Sequence, residues 1–92
     1  MAKNFRMIAS EKPNRAIHIR LHGDFDGTSA HELADMLSAC GSCFPEVAVH
    51  TDGLRKINAF GLGIFHTKIK KLRRYPVQVV FRGKHKHHFI EE

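Results

Sequence analysis

The chain has 92 residues, enough for one domain with a single hydrophobic core. Hydrophobic residues make up 42% and charged residues 26%, a globular composition that excludes a disordered chain. No apolar run approaches the roughly 20 residues that a membrane span needs, and the N-terminal segment lacks the apolar centre of a signal peptide. We therefore expect a single cytoplasmic domain over residues 1–92.

The first predicted elements are two strands. Residues 5–9 form a short apolar run, and residues 16–22 alternate strictly between apolar and polar side chains, as in a strand with one buried face. Pro13 and Asn14 lie between the two runs and are typical turn residues. The pattern predicts a β-hairpin.

A loop at residues 23–27 leads into a predicted helix. Ser29 and Glu32 have the spacing of a capping box, in which a hydroxyl and a carboxylate satisfy backbone N–H groups of the first turn. Apolar side chains then recur at helical spacing and define one face. Gly41 and Pro45 predict the end of this helix.

The second half of the chain predicts a strand at residues 47–51, a turn at Asp52–Gly53 and a helix that begins near Asn58, whose amide oxygen can cap it. Pro76 ends that helix, residues 77–81 alternate as a final strand, and residues 84–92 form a short helix pinned by Phe89 and Ile90. The order β-β-α-β-α-β predicts an α/β fold with a mixed sheet, because strands joined through helices run parallel. Alternation in the strands predicts helices mainly on one face.

Two blocks of the sequence resemble the STAS family of anti-sigma factor antagonists. Residues 21–26, LHGDFD, are similar to the family pattern L-x-G-x-[LF]-D. Residues 49–63, VHTDGLRKINAFGLG, are similar to V-D-L-S-G-[VL]-x-x-[IM]-D-S-[ST]-G-[LV]-G. With the strands, the resemblance covers residues 5–90, and it implies the STAS fold and a bacterial protein-interaction module without enzymatic activity.

The chain departs from the family pattern at the phosphorylation motif. In the family, D-S-[ST]-G carries the hydroxyl that a partner kinase, itself the anti-sigma factor, phosphorylates. The corresponding residues here offer no hydroxyl: Asn58, Ala59, Phe60 and Gly61. His50 replaces the strand-end aspartate, whereas Asp26 keeps its place, and the resemblance implies that these six residues form the partner-binding region.

The substitution of Asn58 for aspartate separates two roles of that position. Asn and Asp cap helices about equally well, but only Asp carries a charge. A phosphate at the first turn of a helix would meet free N–H groups and the positive end of the dipole. We therefore expect the cap to be retained and the switch to be lost. The alternative is a phosphorylation site that has moved to another hydroxyl: Thr28, Ser29, Ser38, Ser42, Thr51 or Thr67.

Phe60 is predicted to be an exposed anchor for a partner. The inward stripe of its helix is Leu62, Phe65, Ile69 and Leu72. Phe60 lies two residues before Leu62, about 200° round a helix of 3.6 residues per turn, and so points away from the core. The alternative is a ring that folds back and is buried over the loop at Phe25 and Asp26.

The formal net charge is +6, and the whole excess lies in residues 65–92. The candidate anion-binding residues there are Lys68, Lys70, Lys71, Arg73 and Arg74. Three interpretations stay open: a solvated face whose cations suit a helix C-terminus, an acidic protein partner, and nucleic acid or lipid. At the cluster, only Tyr75 supplies a ring that could stack on a base, and no nucleic-acid-binding motif accompanies it.

Two further groups of residues could carry chemistry. Cys40 and Cys43 form a CxxC motif at the C-terminal end of a helix, where the dipole raises a thiol pKa, whereas a reactive CxxC precedes a helix. The histidines in residues 84–88 could join them around a metal only if the fold brought all of them together. We expect core packing for Cys40, a solvated tail, and neither metal nor cofactor.

The sequence contains no nucleophile beside a base, no conspicuous carboxylate pair and no phosphate-binding glycine loop, so we expect no enzyme. The favoured function is binding of a protein partner, such as an anti-sigma factor or serine kinase, by a monomer or weak homodimer. One alternative is an accessory STAS subunit of a membrane transporter for lipids. The other is a nucleic-acid-binding domain that uses the basic C-terminal half.

Overall fold

The computed structural model describes residues 4–41, 43–72 and 78–90. The backbone alternates strands and helices, as follows: β1 (Arg6–Lys12), β2 (Ala16–Phe25), α1 (Gly27–Gly41), β3 (Glu46–Ile57), α2 (Ala59–Leu72), β4 (Gln78–Arg82) and α3 (Lys86–Phe89). This order confirms the predicted α/β succession and the short C-terminal helix. The expected helix stop at Pro76 lies outside the described residues.

The four strands form one mixed sheet in the order β1-β2-β3-β4. β1 and β2 pair antiparallel as the predicted hairpin, while β2–β3 and β3–β4 are parallel pairs joined through α1 and α2. In the register, Ile19 lies opposite Ala9 on one side and Val49 on the other. Chain neighbours are therefore sheet neighbours, and the parallel strands end at the same edge.

β2 and β3 are longer than their alternation predicts. The expected loop at residues 23–27 and the expected turn at Asp52–Gly53 are largely strand, and irregularities in the β2–β3 register let the pairing continue to Phe25. Gly23 makes this possible with a φ of +91°, and a Cβ there would collide with the carbonyl oxygen of Asn4. The two strands therefore carry the chain directly to the starts of α1 and α2.

The hydrophobic core lies between the helices and one face of the sheet. Apolar residues of β2 and β3 meet Leu33 and Leu37 of α1 and Phe65 of α2, all of them almost fully buried. Phe89 of α3 is 2% exposed and stacks on Phe81 with ring centroids 5.6 Å apart. Phe89 therefore pins the C-terminal helix as predicted, but Ile90 is 48% exposed and does not.

All helices that contact the core lie on the same face of the sheet, which confirms the predicted arrangement. The other face carries the polar positions of the alternating strands. Within the described ranges, none of the helices has the length and apolar character needed to cross a bilayer.

Candidate partner-binding site

The two long helices begin side by side at one edge of the sheet. β2 and β3 end at the paired residues Phe25 and Ile57, and α1 and α2 start within two residues of those ends. The backbone N–H of Asn58 donates to the carbonyl oxygen of Phe25 at 2.8 Å. This hydrogen bond ties the start of α2 to the β2–α1 connection.

Asp26 caps α1. Its carboxylate oxygen Oδ1 accepts from the Ser29 backbone N–H at 3.1 Å, and its carbonyl oxygen accepts from the Ala30 N–H at 2.9 Å. The first of these hydrogen bonds lowers the pKa of the Asp26 carboxyl, against a smaller opposing effect of desolvation. A carboxylate at a helix N-terminus also suits the positive end of the dipole.

The predicted capping box at Ser29 and Glu32 is wrong. Ser29 lies inside the first turn of α1, fully buried, and its hydroxyl donates to the carbonyl oxygen of Asp24 at 2.9 Å. Pairing of β2 as far as Phe25 places Asp26 at the first position after the strand, so the helix begins three residues earlier than the Ser29 pattern indicated. Glu32 is exposed on the helix surface.

Asn58 caps α2, as the sequence predicts. Its side-chain oxygen accepts from the Gly61 backbone N–H at 3.1 Å, and its carbonyl oxygen accepts from the Leu62 N–H at 3.0 Å. The amide satisfies the helix N-terminus without a charge. The adjoining helix starts therefore have different caps, a carboxylate on α1 and a carboxamide on α2.

Gly61 lies where the two helix starts touch. A Cβ at this position would lie 2.6–2.9 Å from the backbone C, O and Cα atoms of Asp26. A Cβ at Gly63, in contrast, would have no atom within 4 Å. The first glycine of the Gly61-Leu62-Gly63 step is therefore required by packing, and the second faces open space.

Phe60 is 74% exposed, so the predicted outward orientation is confirmed and the alternative of a buried ring is wrong. One edge of the ring passes over the start of α1, 3.8 Å from the position of a Cβ built on Gly27. The ring thus rests on the junction of the two helices and presents its remaining surface to solvent.

A shallow depression continues from Phe60 along the exposed face of α2. We call it the α2 surface, and it consists of Ala59, Phe60, Gly63, Ile64, Thr67 and Lys68. These residues recur at helical spacing opposite the buried stripe, in which Phe65 and Ile69 are buried as predicted. Of this second, weaker apolar stripe, only Phe60 was predicted from the sequence.

Not all predicted site residues lie together. Asp26, Asn58, Ala59, Phe60 and Gly61 meet at the helix starts, whereas His50 lies in the middle of β3. From His50 to the end of the strand is on the order of 20 Å at about 3.3 Å per residue. The expectation that His50 marks a strand end fails because β3 continues to Ile57.

The proposed anion-binding lysines are only partly described. Lys68 lines the α2 surface, and Lys70 lies on the exposed side of the helix. The side chain of Lys71, together with Arg73 and Arg74, lies outside the described residues. Two of the five predicted cations are therefore placed on α2, on different parts of its surface.

The cysteines and histidines form no metal site in the described part of the chain. Cys40 is buried in the core as predicted, and burial is the main reason why the pKa of its thiol is raised. His87 and His88 lie with ring centroids 4.1 Å apart, and the His66 ring contacts the His88 carbonyl oxygen at 2.9 Å. Cys43 is exposed at the opposite end of α1 from Asp26.

No family model matches the chain, and no curated protein does. Among solved structures, the chain is similar to an anti-sigma factor antagonist STAS domain from Rhodobacter sphaeroides, with a TM-score of 0.67 at 12% identity over 96% of this chain and 92% of that one. SpoIIAA, an anti-sigma factor antagonist in its unphosphorylated form, matches with a TM-score of 0.61 at 13% identity, over 83% of this chain and 71% of that one.

A third similar structure is Mglu, with a TM-score of 0.67 at 16% identity. The match covers 82% of this chain, which spans 19% of the length of Mglu. At these identities the comparisons establish the fold, and the chain has the fold of STAS domains. This confirms the architecture that the two sequence blocks imply.

Proposed function

We propose that this chain is a non-enzymatic cytoplasmic module of a sigma-factor pathway that binds a protein partner through the α2 surface. The observation that carries the proposal is the exposed ring of Phe60 at the junction of two helix starts. The STAS fold supports the general class, since two of the similar structures are anti-sigma factor antagonists. The position of Phe60 in the family's partner-binding motif supports the choice of surface.

The α2 surface has the chemistry of a small protein interface. Phe60 supplies a large apolar anchor, Ile64 extends the apolar area by one helical turn, and Thr67 and Lys68 give it a polar end. Aromatic residues that insert into a partner pocket contribute about 2 kcal/mol or more to binding, while the surrounding contacts exclude water. An exposed ring with this setting is therefore best explained by a partner that covers it.

The module is not switched by phosphorylation at the usual motif. Ala59 and Phe60 have no hydroxyl, and the neutral amide of Asn58 already satisfies the start of α2. SpoIIAA, which shares the fold, has been solved in a phosphorylated form. Partner binding by this chain is consequently not regulated at this motif, whereas SpoIIAA exists in phosphorylated and unphosphorylated forms.

The experiment begins with affinity purification from the native host and identification of the bound protein by mass spectrometry. An anti-sigma factor or serine kinase supports the proposal, and a transporter subunit as the main partner contradicts it. Calorimetry with the purified partner then compares wild type with Phe60→Ser. We expect at least a tenfold loss of affinity with a nearly unchanged melting temperature, because the ring contributes to an interface and not to the core.

Ile8→Ser is the matched control, since Ile8 is an exposed apolar residue (51%) on the opposite side of the sheet. This variant should bind the partner as well as wild type. Equal losses in both variants, or a drop of several kcal/mol in folding stability for Phe60→Ser, would show that Phe60 is structural. Incubation with the kinase and ATP should leave residues 58–61 unmodified, as peptide mass mapping can verify.

A further inference from the structure

The sheet face that the helices leave open carries a concentration of basic and imidazole side chains. Residues directly opposite each other in a sheet project from the same face, and the register therefore collects polar residues from all four strands on this side. They are Arg6, His18, Arg20, His22, His50 and Arg82. The cations come from both halves of the chain, so the face is not the basic C-terminal cluster that the sequence suggested.

Three of these residues form one cross-strand row, which we call the basic row: Arg20, His50 and Arg82. His50 is paired with Arg20 of β2 on one side and with Arg82 of β4 on the other. Neighbouring strands lie about 4.8 Å apart, so the two arginine backbones are roughly 10 Å apart with the imidazole between them. Both guanidinium groups are long enough to converge above His50.

Among the described residues, no carboxylate pairs with the arginines of the basic row. Both are exposed, and in the described part of the chain neither forms an ion pair; the pair that is present joins Arg55 and Asp24 at 3.4 Å. A guanidinium presents paired N–H donors suited to two oxygens of an oxyanion. The basic row therefore has guanidinium N–H donors available for an anion on both sides of His50.

His50 is held in this row by a second histidine. Nδ1 of His18 lies 2.9 Å from Nε2 of His50, and the rings stack with centroids 5.0 Å apart. One of these nitrogens donates and the other accepts, so the accepting nitrogen carries no proton. The contact fixes the position of the His50 ring beside the two arginines.

Burial, followed by the charges of His18, Arg20 and Arg82, lowers the pKa of His50, and Asp52 acts in the opposite direction. Neighbouring positive charges thus disfavour the protonated form of His50, and a bound anion would offset this repulsion. Binding of a dianion at this point would favour the protonated imidazole.

We propose that the basic row is a binding site for the phosphate group of a small molecule, held by Arg20 and Arg82 from two sides with protonated His50 between them. A tetrahedral phosphate offers enough oxygens for both guanidinium groups and the imidazole, whereas a carboxylate offers two. The site is on the opposite side of the sheet from the α2 surface, and it does not depend on the proposed partner.

Binding of a dianion at the basic row should depend on pH. Since the anion-bound form holds a proton on His50 that the empty form releases, affinity for a dianion of constant charge rises as pH falls through the range around and below 6.5, the ordinary pKa of histidine. Phosphate changes its own charge in this range. Sulfate does not, so sulfate isolates the contribution of the protein.

The test is an NMR titration of the wild-type chain that follows the His18 and His50 ring signals at constant ionic strength. The ligands are inorganic phosphate, glycerol phosphate, sulfate and acetate. We expect saturable shifts with the tetrahedral anions, and with sulfate tighter binding at pH 5.5 than at pH 8. Tighter binding of glycerol phosphate assigns the site to phosphorylated molecules, and equal binding assigns it to free phosphate. Acetate that binds as tightly as phosphate overturns the proposal.

Variants make the test specific. Arg20→Met and Arg82→Met should each weaken phosphate binding about tenfold, as expected for one charged hydrogen-bonding group. Arg6→Met is the matched control, an exposed arginine on the same face in another row, paired with His22. It should change affinity less than twofold. Equal weakening by all three variants would mean diffuse attraction and overturn the site.

His50→Gln should abolish the pH dependence of sulfate binding. The amide backbone spectrum of each variant shows whether the fold is retained, and His50→Asn, which removes the same titrating imidazole, provides a second route should His50→Gln unfold. A pH dependence of sulfate binding that survives in a folded His50 variant contradicts the proposal. So does an RNA oligonucleotide that displaces phosphate at micromolar concentration with a steep salt dependence.

Discussion

The starts of α1 and α2 are neighbours with the same pattern of capping hydrogen bonds and different capping side chains. Asp26 caps α1 with a carboxylate whose pKa is lowered by the helix N–H groups, and Asn58 caps α2 with a neutral amide. The α1 start is enclosed by the Ser29 hydroxyl and the backbone of Gly61, whereas the α2 start presents Phe60 to solvent. The α1 start is therefore the more enclosed of the two, whereas the α2 start is exposed to solvent.

The largest expected effect comes from adding a side chain at the close contact between the starts of α1 and α2. Gly61→Ala should destabilise the chain by roughly 1–3 kcal/mol, because its Cβ would overlap the Asp26 backbone, which cannot move without disturbing the α1 cap. Chemical denaturation monitored by circular dichroism measures the free energy of unfolding.

Gly63→Ala is the matched control for this contact. It places the same methyl group in open space within the same helix, so it should stabilise the chain by about 0.5–1 kcal/mol through helix propensity. If both variants were equally stable, the close approach of α1 and α2 would be wrong.

The next largest effect concerns the capping side chain of α2, which one variant removes and another replaces by a charged cap. Asn58→Ala should cost about 1 kcal/mol, because the Gly61 N–H loses its acceptor. Asn58→Asp should differ from wild type by less than that, since the two residues cap about equally. Denaturation curves of wild type and the two variants give their free energies of unfolding. Equal stability of Asn58→Ala and Asn58→Asp would show that the side chain at this position does not cap α2.

The smallest effect depends on pH and concerns α1. Folding lowers the Asp26 pKa below 3.8, so its stabilising contribution is complete well above that value and is lost as pH falls through the lowered one. Asp26→Asn should therefore be less stable than wild type at pH 7, and the difference should shrink below pH 3.8.

Acid unfolding followed by circular dichroism measures this difference. Asp35→Asn, on the exposed side of α1, is the control and should unfold in acid like wild type. The difference in stability between Asp26→Asn and wild type could instead persist unchanged at pH 2. That result would show that the effect comes from the geometry of the side chain and not from its charge.

Much of the fold is encoded by short-range patterns. Strict alternation in β2 predicted both the strand and its buried face, and helical spacing predicted that Phe65 and Ile69 face inward. The cap at Asn58 was also predictable, because a cap requires one side chain and the three residues that follow it. For the same reason the angular position of Phe60 followed from its distance to Leu62.

Errors arose where two local patterns competed or where pairing extended an element. Asp26 and Ser29 are both good capping residues, and only the pairing of β2 as far as Phe25 decided that Asp26 begins the helix. Similarly, Asp52–Gly53 has the composition of a turn but continues β3 because β2 pairs beside it. The position of His50 within β3 follows from the same extension.

The sequence by itself determined the order of the elements, the inward side of β2 and α2, and the absence of hydroxyl groups at Asn58, Ala59 and Phe60. Only the tertiary structure decided which polar side chains meet on the open face of the sheet. Arg20, His50 and Arg82 come from three strands separated by helical crossovers, and their alignment depends on the register of two parallel pairs. That register is specified only when the apolar faces of the paired strands are buried together in one core, which brings together residues far apart in the chain.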